Sequence, residues 1–366
     1  MSSKGYGKWL VPYALQRLFR GGRTRASGTS HIIICVVDHF EPGHGKADPG
    51  TAASRVDSWA RNYPSMADKH KDADGVKPQH TWFYPPHHDM RFLNDLTVLC
   101  RGEYGEIEMH MHHNRMDPFP DMSETLRAKI LKCIEDYSKH GIFCQPDGSR
   151  TFGFIHGDWS LDNSRGPEIC GVNDEIKILK ECGCYADFTF PSLGEAQPAM
   201  INKVYYCKDD PVKPKSYNKG KEVRAVGGSW GDLMMIPGII GFRWRSRTHR
   251  FKPSIESSNL GKSDLPAHGR IDYWINNAIA VKGLPEWKLI KLHTHGAPEE
   301  SWEANFGAVA DEMYSYLEKN YNDGKIYSLH YVTAREMYNI IKAAESGKSG
   351  NPGEFRDFII KPYAYK

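Results

Sequence analysis

The chain has 366 residues, of which 40% are hydrophobic and 25% are charged. This composition can bury a sizeable core in one large domain or two, and it excludes a chain that is disordered throughout. The formal net charge is only +3, so there is no broad basic field of the kind that binds nucleic acid, and no nucleic-acid partner is expected.

The first thirty residues form a basic amphipathic segment without a single acidic residue. Its apolar run is too short and too interrupted to span a bilayer or to serve as a signal-peptide core. Two interpretations stay open. One is an interfacial helix whose residues 1–25 contact anionic lipid, and the other is a helix docked on its own domain or on a subunit partner. Its basic residues are Lys4, Lys8, Arg17, Arg20, Arg23 and Arg25.

The eight cysteines are scattered, and Cys182 and Cys184 are the only close pair. That spacing is not typical of a zinc finger, so ordinary buried thiols are expected. Free thiols favour a reducing compartment over a disulfide framework. We therefore expect a cytoplasmic protein, with peripheral contact at the inner membrane face if residues 1–25 bind lipid.

From residue 31 onwards, short apolar strands alternate with polar loops and amphipathic helices. Such alternation is typical of βα units around a parallel sheet. Strands are predicted at residues 31–37, 80–84, 106–114, 150–155, 185–190, 289–292 and 325–331. Helices are predicted at residues 51–66, 90–101, 123–140, 173–182, 302–319 and 334–344.

The pattern weakens between residues 201 and 283, where basic and polar loops surround one apolar stretch. We interpret this part as an insertion that shapes a substrate cleft. The predicted fold is a distorted parallel (β/α) barrel of seven or eight strands over residues 31–350, followed by a C-terminal tail at 351–366. In such a barrel the active site lies at the C-terminal ends of the strands.

Histidines are concentrated at three of these strand ends. Alternation along 106–114 places Glu108, His110 and His112 on one face. The other two strand ends carry further candidates, namely Asp38 with His39, and His293 with His295. Imidazoles that converge from several strands can hold a metal that activates water, with Asp38 suited to act as base and His293 or His295 as acid.

The order of these motifs resembles the polysaccharide deacetylase (NodB-homology) superfamily of carbohydrate esterases, in a divergent form. The family has an Asp-Asp pair after its first strand, then a Thr-Phe-Phe strand, a helix and a Glu-Ile-Gly-x-His motif. Here Asp38-His39, Thr81-Trp82-Phe83-Tyr84 and 106–110 follow in that order. The resemblance spans residues 31–190 and 288–345.

The resemblance implies that Asp38 is the base, that His39 and His110 bind metal, and that His293 or His295 is the acid. The family's second histidine falls on Asn114, which leaves His112 by strand parity or His113 by proximity. The family's arginine motif is absent, and His156, Asp158 and Trp159 stand in its place. These three residues and Glu108 are the candidates for substrate contact. Asp158 could instead orient a catalytic histidine, Trp159 could equally pack in the core, and Glu108 could support the metal ligands from behind.

By this resemblance the chain would remove an N-acetyl or related acyl group from an aminosugar or polysaccharide precursor. Water bound to a divalent metal, with Zn²⁺ expected, would attack the amide. Two alternatives stay open. One is a metal-independent glycoside hydrolase that uses two carboxylates, and the other is a catalytically silent sugar-binding barrel. A role in surface-glycan biosynthesis would suit a lipid-linked substrate.

Overall fold

A computed structural model describes residues 7–19, 28–115, 118–244 and 253–366. Its framework is a mostly parallel sheet with helices packed against it. The first five strands are β1 (Ser30–His39), β2 (His80–Tyr84), β3 (Gly105–Met111), β4 (Phe152–His156) and β5 (Cys184–Asp187). Nearly every residue of these strands is buried, as expected for a parallel sheet that is covered on both faces.

Nine more strands follow in the part of the chain that the structure describes, and seven of them join the same sheet. They are β6 (Tyr205–Cys207), β7 (Lys221–Glu222), β8 (Leu233–Met235), β9 (Gly241–Trp244), β10 (Pro253–Glu256), β11 (Asn259–Leu260), β12 (Ile279–Ala280), β13 (Trp287–Thr294) and β14 (Tyr327–Val332). The main sheet runs in the order β11-β13-β1-β2-β3-β4-β5-β8-β6-β7, while β9 and β10 form a separate hairpin.

Strand β1 is the centre of the sheet. It pairs with β13 along one edge, and on its other edge it pairs first with β14 and then, from Val36 onwards, with β2. All three ladders are parallel. This arrangement places the C-terminal ends of β1, β2, β3 and β13 side by side.

The sheet curls, but within the described residues no ladder joins β8 to β13. The gap between these strands is bridged by Ser258, which exchanges hydrogen bonds with the backbone of Ile239 and accepts one from the His293 amide. The buried Lys291 ammonium also reaches across, donating to the Phe190 carbonyl at 2.6 Å. The predicted α/β class with a mostly parallel sheet is therefore confirmed, whereas a barrel closed by backbone pairing is not observed here.

Nine helices are present in the described residues. All but the first and the eighth come after a strand in the chain, as the alternating pattern predicts. They are α1 (Gly7–Phe19), α2 (Pro49–Ala67), α3 (Phe92–Arg101), α4 (Ser123–Ser138), α5 (Glu175–Glu181), α6 (His268–Asn277), α7 (Trp302–Asn305), α8 (Ala308–Tyr321) and α9 (Ala334–Glu345). Helix α9 begins with a capping box between Thr333 and Glu336.

Helix α1 packs against the chain itself through Trp9 and Tyr13. Trp9 is 1% exposed and stacks on Phe242 with ring centroids 5.6 Å apart. The docked-helix interpretation thus accounts for two of its aromatic residues, while Val11 and Leu15 are exposed. Residues 1–6 and 20–25 lie outside the described residues, so lipid contact through 1–25 stays a prediction. No described helix is long and apolar enough to cross a bilayer.

The C-terminal segment is part of the packed core. The Tyr363 hydroxyl donates to Glu108 beneath the strand ends, and the Tyr365 hydroxyl accepts from the Ile107 amide. The eight cysteines are all free, as predicted.

Candidate metal centre and adjoining cavity

The three histidine-bearing strand ends meet in the folded chain. The His39 ring, at the end of β1, lies 5.0 Å from that of His110 on β3, measured between centroids. Beyond β13, the ring of His295 stacks on His39 at 4.6 Å, and that of His293 lies at 6.5 Å. The sequence prediction that these distant residues become neighbours therefore agrees with their positions.

The rings of His110 and His112 are oriented so that both Nε2 atoms face the carboxylate of Glu41. Their Nδ1 atoms are engaged behind the rings, His110 with the Ile155 carbonyl at 3.0 Å and His112 with Asp158 at 3.2 Å. Both Nε2 atoms are buried without a hydrogen-bond partner that meets normal geometry. An imidazole held through Nδ1–H by an oxygen presents its Nε2 lone pair for metal binding.

Glu41 completes this group, which we call the Glu41 cluster: Glu41, His110 and His112. One Glu41 oxygen lies 3.1 Å from His112 Nε2 and 4.0 Å from His110 Nε2. The three candidate ligand atoms lie within 4.8 Å of one another. Two imidazoles and a carboxylate form a typical catalytic zinc ligand set that leaves a position open. Glu41 was not predicted from the sequence as a site residue, although it follows His39 by two residues.

The electrostatics of the Glu41 cluster favour a positive charge between its members. Burial opposes ionisation of Glu41, but the close contacts of its carboxylate with the imidazoles of His112 and His44 hold its pKa well below the ordinary value. Burial also disfavours protonated His112, yet Asp158 and Glu41 raise its pKa to about 9. Burial lowers the pKa of His110 to about 3. A proton on His112 Nε2 therefore occupies the position that a metal cation would take.

The backbone of Gly157 lies so close to the His112 ring that a side chain at this position would collide with it. A Cβ atom added to Gly157 would lie 2.3 Å from His112 Nδ1. Two further imidazoles, His87 and His88, also come close enough to share a cation with Glu41, and the sequence analysis did not single them out. His88 Nδ1 accepts a hydrogen bond from the Gly43 amide, which ties it to the Glu41 loop.

A cavity of about 730 Å³ is lined by Asp158, the residue that contacts His112, although no member of the Glu41 cluster itself is on its wall. Its wall includes Asp158 and Trp159 after β4 and His293 and His295 after β13. Arg165, Glu195 and Asp264 supply charged groups elsewhere on the wall. A half-buried indole among polar side chains is an arrangement suited to a sugar ring. The predicted positions of Asp158 and Trp159 as substrate contacts are compatible with this cavity.

Asp38 does not point toward the metal centre. Alternation along β1 places it on the side of α2, where its carboxylate accepts from His80 Nε2 at 3.0 Å and from the Gly296 amide at 2.7 Å. Trp59 of α2 packs on the His80 ring and donates to the Gly296 carbonyl. Asp38 thus anchors the loop that carries His295, and this position does not support the predicted role of base.

Glu108 is fully buried below the Glu41 cluster and is not among the residues of the cavity wall. Its carboxylate accepts hydrogen bonds from the hydroxyls of Tyr185 at 2.7 Å and Tyr363 at 2.9 Å and from the Gly153 amide. Burial raises its pKa to about 8, against the effect of these donors. The predicted substrate contact is therefore not supported, and Glu108 instead joins β3, β4, β5 and the C-terminal segment.

His113 and His156 belong to a second, separate cluster. Strand β3 ends at Met111, and the turn that follows directs His113 away from His110 and toward Glu175, at 3.1 Å. His156 is fully buried and lies 3.5 Å from the same Glu175 oxygen. These positions do not support the predicted roles of His113 as a ligand beside His110 and of His156 as a substrate contact.

Comparisons with known proteins identify no family for this chain. No protein family profile and no curated protein matches the sequence. Three solved structures share parts of the fold at low similarity. One is a protein from Parabacteroides distasonis provisionally described as a glycoside hydrolase/deacetylase, with 12% identity and a TM-score of 0.42 over 84% of this chain and 70% of that one.

The second is the 4-α-glucanotransferase of Thermococcus litoralis, with 11% identity and a TM-score of 0.43 over 85% of this chain and 40% of that one. The third is the GH57 branching enzyme of Thermococcus kodakaraensis, with 10% identity and a TM-score of 0.37 over 80% of this chain and 68% of that one. Likeness this distant carries no argument about chemistry, so the function is argued from the site alone.

Proposed function

We propose that this chain is a metal-dependent hydrolase that removes an N-acetyl or related acyl group from an aminosugar or polysaccharide precursor. The observation that supports this most is the convergence of His110 Nε2 and His112 Nε2 on Glu41, with both Nδ1 atoms held from behind, next to a sugar-sized cavity. The curled sheet would serve as an incomplete barrel that gathers the strand ends.

The residues of the Glu41 cluster fit a divalent metal, with Zn²⁺ the expected ion. His110, His112 and Glu41 would hold it, and His39 stands next to them with a buried Nε2 that has no hydrogen-bond partner. A bound metal of this kind lowers the pKa of water and polarises a carbonyl oxygen. Asp158 keeps His112 in the tautomer that presents Nε2.

The cavity wall supplies the groups for binding and proton transfer. Trp159 offers an aromatic face to the sugar ring, and Arg165 and Asp264 offer hydrogen bonds to its hydroxyls. His293 Nδ1 is buried without a hydrogen-bond partner, and burial together with Lys291 holds the pKa of His293 well below its ordinary value, so the ring is neutral and can accept a proton that it later passes to a departing amine. An imidazole that takes a proton from water in the first step can deliver it in the second, and Asp38 is not required.

The direct test is acetate release from a panel of N-acetylated aminosugars and their oligomers, before and after chelation and again after Zn²⁺ is restored. Activity that is lost and recovered supports the proposal. A second candidate, glycoside hydrolysis without metal, is favoured by the carboxylates Asp158, Glu195 and Asp264 on the cavity wall. It predicts cleavage of glycosidic bonds that survives chelation.

The Asp38→Asn variant separates the two assignments of that residue. Asparagine keeps an acceptor for the Gly296 amide, so we expect acetate release to fall by less than about tenfold, whereas loss of a general base costs roughly 10²–10⁴-fold. Unfolding in urea should show a loss of about 1–3 kcal/mol, since a buried hydrogen-bonded carboxylate is replaced. A drop of a thousandfold with unchanged stability would restore Asp38 as the base.

A further inference from the structure

A second group of metal-binding side chains lies apart from the Glu41 cluster. We call it the His113 cluster: His113 after β3, His156 at the end of β4, Cys170 in the loop that follows, and Glu175 at the start of α5. All four side chains are fully buried. One candidate ligand atom from each lies within 4.8 Å of the other three.

We propose that His113, His156, Cys170 and Glu175 form a structural zinc site. The distances between their ligand atoms are those of a small coordination sphere. The free Glu175 oxygen lies 3.1 Å from His113 Nε2 and 3.5 Å from His156 Nε2, and the other oxygen lies 3.4 Å from Cys170 Sγ. Bonds of 2.0–2.3 Å in a tetrahedron require ligand atoms about 3.3–3.8 Å apart.

The hydrogen bonds leave the inward-facing atoms unsatisfied. His113 Nε2, His156 Nε2 and the Glu175 oxygen between them are buried without a hydrogen-bond partner of normal geometry. Leaving such buried polar atoms unpaired destabilises the folded chain. A single proton could serve His113 and Glu175, but His156 would still lack a partner. A cation at the centre satisfies all of them.

The outer atoms of His156 and Glu175 are held by hydrogen bonds, as metal ligands need, whereas His113 Nδ1 is buried with no hydrogen-bond partner. His156 Nδ1 donates to the Gly157 carbonyl at 2.5 Å, which fixes Nε2 as the lone-pair atom. Asp121 lies 3.6 Å from His113 Nδ1 and is itself paired with Lys129 at 2.6 Å. The second Glu175 oxygen accepts from the Asp162 amide at 2.6 Å.

Charge and softness both favour Zn²⁺. One thiolate and one carboxylate balance the two positive charges, so the buried site is neutral when two neutral imidazoles complete it. A site with sulfur, nitrogen and oxygen ligands suits zinc better than magnesium or calcium, which prefer oxygen alone. Four protein ligands leave no open position, so the role is structural, not catalytic.

The site would fasten the loop between β4 and α5, which carries Asp158, Trp159 and Arg165 of the cavity wall. Four residues of this loop have left-handed backbone angles without being glycine, namely Asp158, Trp159, Asp162 and Asn163. Such conformations are costly and need support from the surrounding structure. A zinc ion bound by Cys170 on the loop, by Glu175 at the start of α5 and by His113 in the turn after β3 would provide it.

Elemental analysis of the tag-free full chain tests the proposal independently of the proposed function. Wild type should retain zinc that survives in the His110→Ala/His112→Ala variant, and Cys170→Ser should lose one equivalent per chain. Cys144→Ser is the matched control, because Cys144 lies outside both clusters, and it should lose none. If the proposed catalytic centre binds no metal, wild type holds one equivalent, and this site still accounts for it.

Cobalt substitution adds a signature that only this site can give, because Cys170 is the only cysteine in the candidate metal clusters of the described residues. The cobalt protein should show a thiolate-to-cobalt charge-transfer band that Cys144→Ser keeps and Cys170→Ser loses. If Cys170→Ser fails to fold, X-ray absorption at the zinc edge of His110→Ala/His112→Ala should show one sulfur at about 2.3 Å. Absence of zinc from that variant, or a shell without sulfur, would overturn the site.

Discussion

Replacing His110 by alanine should strongly reduce metal-dependent acetate release while leaving the chain folded. The His110 ring is held through Nδ1 by the Ile155 carbonyl and presents a buried, unpartnered Nε2 to Glu41. Lewis-acid activation contributes several kcal/mol to such reactions. With tenfold in rate for each 1.36 kcal/mol, we expect a loss of roughly 10²–10³-fold in kcat/KM.

His140→Ala is the matched control, since this histidine lies just after α4, away from the strand ends that carry the site. It should keep full activity. The activity of Asp158→Asn should lie between those of His110→Ala and His140→Ala. Loss of an oxygen that supports a metal-binding histidine typically costs about 10–100-fold in activity or metal affinity. Metal content should drop by one equivalent in His110→Ala. Unchanged activity with unchanged metal content would refute the centre.

Most of the sheet could be predicted from the sequence because parallel strands buried on both faces appear as continuous apolar runs. The strand predicted at 80–84 matches β2 in full. The strand predicted at 31–37 lies within β1 and is shorter at both ends. The region 201–283 was harder. Its strands β6, β7 and β11 have two or three residues each, too few to show a period, and α6 was not recognised.

The candidate site was predictable where strand alternation decides the direction of a side chain. His110 and His112 share a face, as expected. The same rule, extended along β1, groups His39 with Glu41 and separates both from Asp38, but the motif order drew attention to the Asp38-His39 pair instead. His113 could not be placed, because its direction depends on a turn that begins where β3 ends.

A second large effect is expected on stability, from the buried ion pair between Arg335 of α9 and Glu106 of β3. Arg335 Nε donates to Glu106 at 2.8 Å, and Nη1 donates to Asp357 and to the Ile360 carbonyl, both at 2.7 Å. The Arg335 side chain is 2% exposed. This guanidinium therefore connects the strand that bears His110 to the C-terminal segment.

Arg335→Met should lower the free energy of unfolding by about 3–5 kcal/mol, because it leaves a buried carboxylate without its counter-charge. Urea denaturation measures this directly. Arg61→Met, on the exposed face of α2, is the control and should change stability by less than about 0.5 kcal/mol. A loss below 1 kcal/mol in Arg335→Met would show that the ion pair is not buried as described.

The loss of folding stability in Arg335→Met should also depend on pH in a defined direction. Burial already raises the pKa of Glu106, although Arg335 opposes this, so removing the guanidinium raises it further. The folded variant then holds a proton that the unfolded chain has released, and its stability falls as the pH rises above the ordinary glutamate pKa. The loss of stability in Arg335→Met should thus be smaller at pH 5 than at pH 8.

In the double variant Glu106→Gln/Arg335→Met this pH dependence should disappear and much of the stability should return. The buried charge is then gone, while Thr333 keeps an acceptor for its hydroxyl.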